Sequence, residues 1–203
     1  PIKKRNRYGL NPEDDRDGPD EGEPTMPAYD EDFQEWTAPF VMGMIDTKVV
    51  RRTNSLLDRT YGREFRYNEA MLTGSGPAGF AKATALSASS AAMMGAMAIG
   101  PLRRFIGPRL PAPGEGPSRE AQEAGYFDIR LFARHPSDET KNMRARVTGN
   151  RDPGYGSTSK MLAESAVCLA LDDLTSRPGI LTPAAALGDP FLLRLQKNAG
   201  LEF

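Results

Sequence analysis

From Ala83 to Leu102 the chain runs ATALSASSAAMMGAMAIGPL without one charged residue, and this stretch limits what the surrounding sequence can build. Its length would allow a membrane span. Its composition argues otherwise, because Ala, Ser and Gly dominate and only Leu86, Ile99, Leu102 and the methionines add much hydrophobicity. Small residues let helices approach closely, and Met93, Met94 and Met97 supply an adaptable apolar surface. The stretch therefore reads as a helix packed in a core or at a subunit interface. An apolar wall for a long acyl substrate, or a face resting on lipid, stays open as an alternative.

The rest of the composition narrows the class. Lys+Arg 26 against Asp+Glu 27 leaves a net charge of −1 over 203 residues, with no global basic bias toward nucleic acid. One cysteine, Cys168, excludes an internal disulfide framework, and His135 is the only histidine. So few soft or imidazole ligands leave no basis for a transition-metal centre. A reducing, cytoplasmic setting fits this usage. Gly 20 and Pro 17 point to a globular core with sizeable irregular segments.

Residues 1–37 read as an irregular arm, basic at Lys3–Arg7 and acidic at Asn11–Pro24, too poor in apolar residues to offset the entropy of ordering. Residues 38–203 read as one α+β domain: a mixed or antiparallel sheet covered by helices. Asp46 or Thr47 can cap a helix through Tyr61 with Val49, Val50, Leu56 and Leu57 on one face, and Gly62 stops it. Phe65, Tyr67, Glu69 and Met71 alternate with Arg66, Asn68 and Ala70 as in a strand. Phe127–Ala133 and Met143–Thr148 read as an antiparallel hairpin with one apolar and one charged face. Ser157 or Thr158 can cap a helix to Leu174 with Met161, Leu162, Cys168 and Leu169 inward. Thr182 and Pro183 start a short helix, and a last one runs from Asp189 to Asn198.

Gly74–Gly79, GSGPAG, formally matches the dinucleotide finger G-x-G-x-x-G. That mechanism also needs a buried apolar strand before the glycines and an acidic residue about 20 positions on. Tyr67–Thr73 is half polar, and Ile99–Leu110 offers no second strand ending in Asp or Glu. The motif reads as a Gly/Pro turn before a helix, with a flavin or dinucleotide site as the weaker alternative.

Several residues have the chemistry of a site. Arg51, Arg52 and Asn54 form a dense polar cluster whose guanidinium forks suit a carboxylate or phosphate; a solvated helix face with ion pairs is the plainer reading. Gly154–Lys160, GYGSTSK, fails the Walker spacing, yet free N–H groups at a helix start favour an anion beside Ser157, Thr158 and Lys160. Ordinary capping explains the same residues. Tyr67 and Tyr155 are candidate general acids, with Glu69 placed to orient Tyr67, although such tyrosines often only bury their rings. His135 precedes a proline in a turn, Cys168 lies on an apolar helix face, and no nucleophilic triad is credible.

One resemblance adds to this reading. PFVMGMIDTKVVRRTNSLLDRTYGREFRYNE at Pro39–Glu69, PAPGEGPS at Pro111–Ser118, GYFDIRLFA at Gly125–Ala133, GYGSTSKMLAESAVCLALDD at Gly154–Asp173 and GILTPAAALGD at Gly179–Asp189 resemble, in order, the saccharopine-dehydrogenase-like oxidoreductases. The likeness is to the branch containing the trans-acting enoyl reductases. It implies a C-terminal substrate-binding and dimerising half, with NADP or NAD bound by an upstream nucleotide-binding domain outside this chain. A start at Pro-Ile-Lys-Lys agrees with a fragment, one expected to be inactive alone. The resemblance further implies a hydrophobic acyl-type substrate and a homodimer. A non-catalytic dimerisation or lipid-contact module is the competing reading.

Overall fold

A computed structural model describes residues 7–110, 112, 114–175 and 178–203. The basic run Lys3–Arg7 lies outside these residues except for Arg7, as do Pro111 and Pro113 of the PAPGEGPS segment. The fold is α+β, as the sequence indicates, with two antiparallel three-stranded sheets. Described residues up to Leu110 form one compact unit, and those from 112 onward form a second.

The first unit is built on β1 (Ala28–Asp30), β2 (Glu35–Pro39) and β3 (Ala70–Gly74), in that order across the sheet. Asp30 closes the β1–β2 hairpin by accepting the N–H groups of Asp32 and Phe33, and Gln34 takes φ +55°. Helix α1 spans Gly43–Leu56, starting and ending earlier than its sequence pattern suggests. Its buried face is Gly43, Thr47, Arg51, Thr53 and Asn54, not the expected Val49–Val50–Leu56–Leu57 stripe. The reason is the acidic arm. Asp20 and Glu23 lie against this face, so buried polar groups meet partners there instead of apolar ones. The arm that composition alone would leave solvated is in this stretch ordered by ion pairs.

The strand expected over Phe65–Met71 is displaced to Ala70–Gly74 and runs straight into the glycine motif. Helix α2 (Gly76–Ala98) then crosses back over the sheet. A Cβ at Gly79 would stand 2.0 Å from the Gly74 carbonyl oxygen, so only glycine allows this approach. Trp36 packs against Phe80 with the ring centroids 4.7 Å apart and the planes tilted by 59°, and the Thr73 hydroxyl hydrogen is shared between the carbonyls of Trp36 and Gly79. Beyond that crossing α2 separates from the sheet. Only Gly79 and Ala83 of this helix are buried, so of the two positions expected for it, core or subunit interface, it does not take the core one within its unit. After a bend of 110° the chain continues in α3 (Gly100–Ile106), and among the described residues no single helix is long and apolar enough to cross a membrane.

The second unit opens with α4 (Arg119–Ala124) and the hairpin of β4 (Phe127–Ala133) and β5 (Met143–Gly149), paired in full register as the alternation indicates. Helix α5 (Gly156–Leu171) and helix α6 (Pro183–Arg194) follow, and α6 breaks at Gly188 where the sequence separates two helices. A π-helical turn at Leu195–Ala199 ends on left-handed Gly200 and leads into β6 (Leu201–Glu202) beside β5. Leu195, Ala199 and Leu201 form the core with Phe127, Met161 and Phe191. Cys168 is fully buried, as its helix face suggests. Leu162 and Leu169 are not: they are 69% and 62% exposed, because α5 is covered on one side only.

Candidate functional site

The first unit's densest constellation surrounds Arg51, which is 2% exposed. Its Nε donates to Asp20 Oδ2 at 2.5 Å, and both terminal nitrogens reach Glu23 Oε1 at 3.2 Å. Its Nη2 also donates to the Tyr67 carbonyl at 3.1 Å, and the Tyr8 ring lies 5.6 Å from the guanidinium carbon. Every face of this cation is met by protein groups. Asp20 in turn accepts the Tyr67 backbone N–H at 2.9 Å, so the arm fixes the chain at Tyr67 from two directions. The Thr47 hydroxyl lies 2.6 Å from both Glu23 Oε1 and the Gly43 carbonyl.

Tyr67 and Glu69 are brought together as their two-residue spacing suggests. Burial, then the Glu69 carboxylate, holds the Tyr67 hydroxyl well above its ordinary range, so it stays protonated throughout neutral pH. Burial likewise raises Glu69, despite its hydrogen bond with Tyr67, and Asp46 and Glu23 push it the same way. Burial also raises Asp46. Glu23 falls below its usual value: burial opposes this, but the Thr47 hydroxyl, its own backbone N–H and Arg51 outweigh it.

The neighbours of Arg51 have separate tasks. Arg52 donates to the Leu10 carbonyl. Asn54 donates to the Gly62 carbonyl at 3.0 Å and accepts the Tyr61 N–H at 2.9 Å, closing the loop that follows α1. An open groove of about 380 Å³ lies elsewhere in this unit, lined by Leu72, Thr73, Lys82, Ala85 and Leu86.

In the second unit the GYGSTSK loop does start a helix, but the anion there is the protein's own. Asp152 accepts the N–H groups of Gly154, Tyr155 and Gly156 at 3.1, 2.7 and 3.0 Å. These bonds lower its carboxyl below the usual range. The expected capping by Ser157 or Thr158 is thus replaced by Asp152. Ser157 is buried and donates to the Arg151 carbonyl, and Thr158 donates to that of Pro153. Tyr155 is 52% exposed with its ring over Gly116, and Lys160 is half-buried at the fifth position of α5.

Sequence reasoning singled out Arg51, Tyr67 and Glu69 but missed Asp20, Glu23 and Asp152. Asp152 was legible: an Asp followed by Pro-Gly before a helix is a capping and turn signal. Asp20 and Glu23 carry no local signal, since their partner is distant in the chain. The glycine motif has a strand before it and a helix after it. However, β3 is the edge of an antiparallel sheet and its glycines serve the helix crossing, so these residues do not fit a dinucleotide. Among the described residues no cluster of His, Cys, Asp and Glu could hold a metal ion.

Comparison with known proteins yields a consistent set of relatives. The chain is 42% identical over 172 residues to a Mycobacterium tuberculosis protein provisionally named a trans-acting enoyl reductase, covering 79% of this chain and 39% of that protein. It is 38% identical over 169 residues to a trans-acting enoyl reductase of Mycobacterium bovis, with the same coverage. For the trans-acting enoyl reductase of Mycobacterium ulcerans the identity is 37% over 172 residues, covering 80% of this chain and 40% of that protein. The chain thus spans about 40% of the length of the curated relatives it matches. No protein-family model matches it, and no solved structure matches it significantly.

Proposed function

We propose that this chain is the acyl-binding and subunit-interface half of an NAD(P)H-dependent enoyl reductase of the saccharopine-dehydrogenase-like type. The observation that carries this reading is the groove between β3 and α2. Leu72, Ala85 and Leu86 give it an apolar lining, and exposed Lys82 adds one cation. Such a groove suits an acyl chain that ends in an anionic carrier group. The names of the relatives, which specify an acyl double bond as the target, support the same substrate class.

We assign the nicotinamide cofactor, NADP or NAD, to a nucleotide-binding domain outside this chain. Within the chain, Tyr67 is the candidate proton donor. Its raised pKa does not disqualify it, since the enolate left by reduction beside a thioester is a far stronger base than a phenolate. Glu69, hydrogen-bonded to the Tyr67 hydroxyl, orients it. Arg51 and Asp20 hold the backbone at Tyr67, so Arg51 acts through position. Exposed Leu162 and Leu169, one face of α5, provide the homodimer contact.

Calorimetric titration with dodecanoyl-coenzyme A tests the groove. Binding is expected for this chain, at least tenfold weaker in Ala85→Trp and weaker in Lys82→Glu. Equal binding in all three proteins would sink the assignment. NADPH is expected to bind only to a chain extended upstream; tight binding by this chain alone would return the cofactor to GSGPAG.

A further inference from the structure

The elbow formed by α2 and α3 is not explained by acyl binding. From Ala70 to Gly114 the sequence carries Lys82, Arg103, Arg104 and Arg109 and no acidic residue, although the whole chain has a net charge of −1. All four basic residues are exposed. Beside them, large apolar side chains also face outward: Phe105 is 63% exposed, Met94 53%, Ile99 52% and Met93 48%. Arg109 folds over the Phe105 ring at 4.0 Å, so cation and apolar body present one surface. The two helices meet at a bend of 110°.

We propose that this elbow docks the protein on an anionic lipid bilayer. Exposed apolar side chains can enter the headgroup boundary of a bilayer while Arg and Lys beside them meet lipid phosphates. Arginine suits this position, because its stem can cover apolar surface while its head stays in the polar layer. A second copy of the chain is a poorer occupant. A two-fold interface sets a patch against itself, and this one would bring arginines together with no local carboxylate to separate them.

The test is co-sedimentation of the 203-residue chain with vesicles of phosphatidylcholine, with or without about 30% phosphatidylglycerol. Binding to the anionic vesicles is expected, with at least tenfold weaker binding to neutral ones. The pair Arg103→Glu with Arg104→Glu, and separately Phe105→Asp with Met94→Asp, should each lower it at least tenfold. Met143→Asp, an exposed apolar position in the second unit, should leave it unchanged. Circular dichroism confirms that each variant is folded, which these exposed positions allow. No binding to anionic vesicles overturns the proposal, and so does binding that survives both paired changes. Self-association that Phe105→Asp abolishes, without vesicle binding, would reassign the surface to a second copy. The substituted residues Met94, Arg103, Arg104 and Phe105 lie outside the lining of the acyl groove, so the two proposals fail separately.

Discussion

Each unit of this chain has an arginine clamped between two acids, and the two clamps do different jobs. Arg51 is buried under an arm from far earlier in the sequence, with Asp20 and Glu23 as partners. Arg194 sits at a rim, bidentate to Asp172 at 2.5 and 2.6 Å and 3.3 Å from Glu164, with 22% of its side chain exposed. In the second unit the apolar cluster of Leu195, Ala199 and Leu201 lies beneath, and the ion pair finishes a helix pairing that apolar burial already favours. In the first unit few large apolar side chains are buried, and the guanidinium stands where a core residue would. A buried charge adds little net stability over an apolar replacement, but its partners become expensive once it is removed. Arg51 is therefore a point of failure, and Arg194 is not.

The sharpest way to break that contrast is Arg51→Ala. It leaves Asp20 and Glu23 facing a buried hole, and the expected loss is about 3–5 kcal/mol. Hydrogen exchange should show protection falling across Tyr8–Glu23 and α1, with Phe127–Glu202 unaffected. Equal loss in both units would mean that they do not fold as separate bodies. Leu195→Ala is the reciprocal change. Removing a buried leucine from the second core should lose about 2–5 kcal/mol, confined to β4, β5, α5 and α6. If Arg194→Ala, read by the same exchange measurement, proves as damaging as Leu195→Ala, the rim clamp is structural after all.

The contrast also explains what the sequence could reveal. The β4–β5 hairpin and the break in α6 follow from local pattern: strict alternation in one case, Gly188 and Pro190 in the other. The second unit is held by such short-range logic, so its elements are close to those read from the chain. The first unit is held by long-range pairing. The carboxylates of Asp20 and Glu23 look like solvated charge until Arg51 is brought to them, and they invert the buried face of α1. Hidden strand β1 and the start of β2 were lost for the same reason, having been grouped with an arm whose composition is polar. For the site, Tyr67 and Glu69 were legible because two residues on a strand-like segment share a face. At the start of α5 the GYGSTSK pattern gave no sign that Asp152 takes the N–H groups of Gly154, Tyr155 and Gly156.

The smallest expected effect is a pH difference between the units. Glu69 has a folded pKa above its unfolded value, so between the two values the native first unit holds a proton that the unfolded chain has released. Stability from this group is present at low pH and declines as pH rises through the raised value. Asp172 is depressed to about 2 by its hydrogen bonds to Arg194, with burial opposing. Its contribution is present above the ordinary Asp range and is lost only as pH falls toward about 2. Glu69→Gln keeps an acceptor for the Tyr67 hydroxyl and removes the ionisation. It should therefore raise the stability of the first unit at pH 7, with the gain shrinking to nothing near pH 4, while the second unit's acid transition stays where it was. Chemical denaturation followed by the fluorescence of Trp36, the chain's only tryptophan, reads the first unit alone. A gain that persists unchanged at low pH would place the benefit in packing rather than in the ionisation of Glu69.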